Sequence, residues 1–65
     1  MNLKRTRRLL MAFLDNLNVE ILKGIIAGDV DSVAALSVVR ERSEMALFRL
    51  DDLIASEKAA RKGLK

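Results

Sequence analysis

Residues 27 to 32 read Ala27-Gly28-Asp29-Val30-Asp31-Ser32, and this is the one stretch that punctuates the chain. Gly28 suits the left-handed position that closes a helix, and Asp29, Asp31 or Ser32 can accept hydrogen bonds from the free amides that open the next. Two helices meet here through a connection so short that they must be antiparallel neighbours. The expected elements are helix 1 from about residue 3 to 27, a turn at 28–31 and helix 2 from about 31 to 61. Residues 1–65 thus form a single helical-hairpin domain, all-α in class.

Upstream of the turn, Leu3, Leu10, Leu14, Leu17 and Ile21 recur at steps of seven, four, three and four, one stripe of a helix advancing about 100° per residue. Phe13 and Ile25 flank that stripe. Gly24 lies close to it, and two readings are open: a residue tolerated near a helix end, or one kept for close backbone approach. Downstream, Leu36, Val39, Ser43, Ala46, Leu50, Leu53 and Glu57 alternate in steps of three and four, the pattern of a helix seam, with Leu47 and Ile54 on its edge. Ser43, the small polar member, fits close packing. Folding the hairpin at the turn brings Arg7 and Arg8 alongside Asp51 and Asp52.

The composition agrees with uninterrupted helices: 51% of residues are hydrophobic and there is no Pro, Trp or Tyr. Without Cys or His the chain has neither a disulfide framework nor an ordinary zinc site, and the commonest nucleophiles and proton shuttles are missing. Asp51 and Asp52 point in different directions on a helix, and Gly24 and Gly28 lack the Lys-Ser or Lys-Thr of a phosphate loop. Enzyme activity and cofactors are therefore not expected. No apolar run approaches the roughly 18 residues that span a bilayer, and the run Leu9 to Leu14 stops at Asp15 without a cleavage signal, so the expected location is the cytoplasm.

Each helix has more apolar surface than one seam uses. Val19, Leu22 and Ile26 lie well round from the first stripe, and Val38, Met45 and Phe48 lie nearly opposite Leu36 and Leu50. So short a chain buries little surface by itself, which makes a homodimeric four-helix bundle the expected assembly. Val38, Met45 and Phe48, rimmed by Arg42 and Arg49, are the candidate contacts for a foreign protein. Val19, Leu22 and Ile26 are candidates for the dimer or a second interface. The formal charge of +3 is concentrated early: residues 1–28 hold five cations against two acids, and the remainder is balanced. Lys4, Arg5, Arg7 and Arg8 are therefore candidate nucleic-acid contacts, with Lys58, Arg61, Lys62 and Lys65 at the other end of the chain.

The run from Lys23 through Gly28 and Ser32 to Leu36 resembles the helix-to-helix junction of ribbon-helix-helix repressors. That resemblance implies a basic strand before the helices, with Lys4, Thr6 and Arg8 outward. The chain departs from the pattern in the unbroken apolar run Leu9 to Leu14 and in a second helix about twice the required length. Gly28 to Ser32 followed by Leu36, Arg40, Glu41 and Met45 also resembles the hairpin of flagellar export chaperones, which bind amphipathic ends of cargo proteins. In build the chain is similar to Rop-type RNA-binding hairpins, and in size and build to phage-encoded hairpin dimers that inhibit host regulators, including quorum-sensing anti-activators. The favoured expectation is a non-enzymatic protein-binding module, an inhibitor or adaptor. The alternative is a nucleic-acid-binding dimer using the basic N-terminus.

Overall fold

Asn2 starts the first helix: its side-chain oxygen accepts the Arg5 amide at 3.1 Å, and its carbonyl accepts the Thr6 hydroxyl at 3.0 Å. Helix α1 then runs Leu3–Ala27 and helix α2 Val30–Gly63, in a computed structural model that describes residues 2–63. Lys65 of the basic end lies outside the described residues. Helix α1 has the expected bounds, while α2 begins one residue earlier and continues to Gly63.

The turn is as tight as its residues allow. Gly28 adopts φ 71° and ψ 21°, the left-handed conformation that a side chain would disfavour. Its amide donates to the Ile25 carbonyl at 3.1 Å and the Asp29 amide to the Gly24 carbonyl at 2.9 Å, the paired bonds of a Schellman ending. Asp29 then caps α2, its carboxylate accepting the Ser32 amide at 3.2 Å. Hydrogen bonds from the Ser32 hydroxyl and then from its amide hold the Asp29 carboxyl below the usual carboxylate range.

With only Gly28 and Asp29 outside the helices, α2 folds straight back along α1 into a rod of 57 × 15 × 15 Å. Leu14, Leu17 and Ile21 of α1 and Leu50 of α2 are its buried residues. Leu3 and Leu10 on α1, and Val33, Leu36, Leu47 and Ile54 on α2, are half-buried around them. The α1 stripe is the expected one. On α2 the seam is turned from the expected phase. Leu36, Ser43 and Leu50 keep their place, but Val39 and Leu53 stand 40% and 55% exposed, and Ala46 and Glu57 are exposed with them. Val33, Arg40, Leu47 and Ile54 take the inner positions instead.

The physical reason is which residues the turn puts inside. Leu47 in place of Ala46 carries three more carbons towards α1, each worth about 0.8 kcal/mol when fully buried. The observed phase also keeps Glu57 out of the apolar seam and brings the Asp51 carboxylate to the Arg7 guanidinium at 2.6 Å. At the turn, Val33 packs against Gly24 so closely that a Cβ on residue 24 would stand 2.8 Å from the Val33 Cγ2. Of the two readings of Gly24, close approach is the one the packing requires.

Two consequences are measurable. Gly24→Ala gains roughly 0.5–1 kcal/mol of helix propensity but overpacks a stiff β-branched neighbour at a cost of roughly 1–3 kcal/mol. Its thermal melt followed by circular dichroism should therefore fall below that of the parent. Because the folded Asp29 carboxyl titrates below its unfolded value of about 3.9, its stabilising effect is full above that pH and declines as pH drops through the folded value. The stability gap between the parent and Asp29→Ala in urea titrations should be constant near neutrality and shrink in acid.

Candidate protein-binding surface

Turning the seam inward at Leu47 and Ile54 carries a second stripe of α2 to the outside of the rod. Val38, Arg42, Met45 and Arg49 follow one another at steps of four, three and four and share that outward face. With Glu41 and Ala46 they line a shallow groove. Val38 is 49% and Met45 55% exposed, so the floor is apolar and open to solvent. Among the described residues, neither Arg42 nor Arg49 has a carboxylate within ion-pair distance, whereas Arg7, Lys23, Arg40 and Arg61 all do. The groove thus combines thioether and aliphatic surface with two guanidinium groups free to take an acidic partner.

Phe48 is brought near this groove but not into it. By helical phase it lies about 60° round from Met45, on the edge of α2 nearer Met11 of α1. At 66% exposure it is a large side chain without a seat in its own hairpin. Glu41 and Ala46 are groove residues that the sequence reading missed. Their signal lies in the same three-and-four spacing, and Ala46, expected in the inner seam, is exposed and lines the groove instead.

Val19, Leu22 and Ile26 are exposed on α1 towards the turn. They lie across the rod from the α2 groove, with the hairpin core between, so the two stripes are separate surfaces.

The basic residues are arranged differently from a ribbon. Lys4 to Arg8 lie within α1, and no strand occurs among the described residues. Lys4, Arg5 and Arg8 are exposed, while Arg7 is held by Asp51. The first turn of α1 has no acidic residue, so these cations stand at the positive end of the helix dipole without local compensation. A hollow at the open end of the hairpin is lined by Asn2, Leu3, Lys4, Ile54, Glu57, Lys58 and Arg61. Glu57 pairs with Arg61 there at 2.5 Å.

Among the described residues no group of three or more His, Cys, Asp or Glu could hold a metal ion, and no helix is long and apolar enough to cross a membrane. No protein-family model, curated protein or solved structure matches the chain.

Arg7 and Asp51 are each close to half exposed, so their pair is screened despite its short distance. A double-mutant cycle with Arg7→Ala and Asp51→Ala should give a coupling below about 1 kcal/mol that declines as salt is raised.

Proposed function

We propose that this protein is a non-enzymatic binding module that pairs with a second copy of itself and acts as an inhibitor or adaptor by occupying a surface of another protein. The observation that carries the reading is the groove of Val38, Arg42, Met45 and Arg49, open to solvent and with two unpaired guanidinium groups. Apolar anchors within a polar, charged rim are the usual anatomy of a protein contact, and Met and Arg are enriched there. A partner segment of matching chemistry is an amphipathic helix that places one or two apolar side chains over Val38 and Met45 and carboxylates beside Arg42 and Arg49. Phe48, at the edge, extends the apolar contact. The action is occlusion: the target loses access to whatever else that segment binds.

A nucleic-acid reading draws on Lys4, which lines the open-end hollow with Lys58, and on Arg5 and Arg8, exposed on the same helix. The carboxylates of Asp51 and Glu57 beside Arg7 and Arg61, and the lack of an aromatic among these cations, weaken it. Binding to DNA or RNA that persists in moderate salt and against competitor would favour this alternative.

The protein-binding reading is tested by affinity capture from the native host with the parent chain and with Met45→Asp and Phe48→Asp. The parent should retain a defined partner and Met45→Asp should lose it, with Phe48→Asp reduced, while both variants keep the parent's helicity and mass in solution. Equal capture by all three chains would contradict the assignment.

A further inference from the structure

The outward face of α2 carries a charge pattern that specifies its occupant more closely than an apolar groove does. Steps of seven along a helix fall about 20° short of two full turns, so residues one heptad apart form a nearly straight row, rising about 10.5 Å per step. Asp31, Val38, Met45 and Asp52 make one such row, and all four are exposed. Arg42 and Arg49 make the row beside it, turned about 40° further round the helix and also exposed. The apolar row is therefore two side chains long, ended by a carboxylate at each side and flanked along one edge by two guanidinium groups.

Among the described residues, none of Asp31, Arg42, Arg49 and Asp52 has an oppositely charged group within ion-pair distance. Asp31 also complements the positive end of the α2 dipole, a use that mid-helix Asp52 does not have. Glu41 stands on the edge of the apolar row away from the arginines. With three carboxylates against two guanidinium groups, this face has no net positive charge to draw acids in general. It selects by position, accepting a segment whose charges fall opposite its own and rejecting one that sets like charges together.

We infer that the occupant is a helix of another protein in which two apolar residues stand one heptad apart, each with a carboxylate on the same edge, and in which a Lys or Arg stands one heptad beyond each end of the pair. The apolar side chains lie over Val38 and Met45, the carboxylates reach Arg42 and Arg49, and the outer cations reach Asp31 and Asp52. In a helix antiparallel to α2 the carboxylates come four residues after the apolar ones; in a parallel helix they come three after. The direction of docking is thus written in the partner's spacing. A second copy of this chain does not supply the pattern. Its sole carboxylates one heptad apart, Glu44 and Asp51, follow Arg40 and Leu47 by four and Glu41 and Phe48 by three, so neither pair is apolar throughout.

This inference rests on the protein-binding reading, and one set of probes separates the two. The probes are labelled helical peptides of about 24 residues in an alanine-rich background, with two leucines one heptad apart, lysines at the outer heptad positions, and glutamates either four or three residues after each leucine. In fluorescence anisotropy, one of the two should bind the parent, and glutamine in place of its glutamates should weaken it about tenfold, the effect of two exposed ion pairs. Arg42→Glu with Arg49→Glu should reverse the order, binding best the same peptide with lysines in those places, a rescue that an unfolded variant could not give. Equal binding of the glutamate and glutamine peptides, lost in Met45→Asp, would overturn the charge pattern while leaving the protein-binding reading. No binding of any peptide by a parent that captures a partner through Met45 would do the same. Peptide binding that Met45→Asp leaves intact would overturn both. A mass in light scattering that halves in the double arginine variant would seat a second copy on this face and also overturn the inference.

Discussion

Packing of Leu50 against the Leu14, Leu17 and Ile21 stripe is the contact on which the rest of the molecule depends. It can form only because Gly28 and Asp29 reverse the chain within two residues, and it fixes the rotation of α2 about its own axis. Once Leu50 is inside, the helical repeat brings Leu47 and Ile54 in beside it and sends Val38 and Met45 to the far side. The same rotation places Asp51 against Arg7 and leaves Val39, Ala46 and Leu53 along one edge. The outward groove of α2 is a consequence of that rotation.

The constraint behind it is geometric. A hairpin of two helices buries one stripe from each, and a rod 15 Å across has almost no interior beyond that seam. Among the described residues four are buried, while thirteen large hydrophobic side chains remain exposed, more than scattered surface residues account for. Such a chain is marginal as a single subunit. A second copy covering part of this exposed apolar surface would convert two thin rods into a bundle with a core.

Much of this was legible in the residues. Gly28 followed by Asp29 and Ser32 marked both the end of α1 and the cap of α2, because each has a distinct hydrogen-bonding job at a helix terminus. The α1 stripe was readable because its leucines and isoleucine have no competing apolar row of equal size. Helix α2 was misread in phase for the opposite reason: Val39, Ala46 and Leu53 form a row as regular as Leu47 with Ile54, and periodicity alone does not choose between two adjacent rows. Volume, the ion pair of Arg7 with Asp51 and the exclusion of Glu57 choose. The role of Gly24 was undecidable from the chain because it depends on Val33, nine residues later and on the other helix. Asn2 gave no periodic signal, and its part in capping α1 emerges only from the geometry. The outward residues Val38, Arg42, Met45 and Arg49 are legible from their spacing, which survives the change of phase because none of them belongs to either version of the seam.

The central claim is that the hairpin draws its stability from a second copy, and the most direct measurement is the thermal unfolding of the parent chain by circular dichroism across a wide range of protein concentration. Folding coupled to dimer formation predicts a midpoint that rises steadily with concentration, since association stabilises the folded state by mass action. A midpoint independent of concentration, in a chain that sediments with the mass of one subunit, would contradict it.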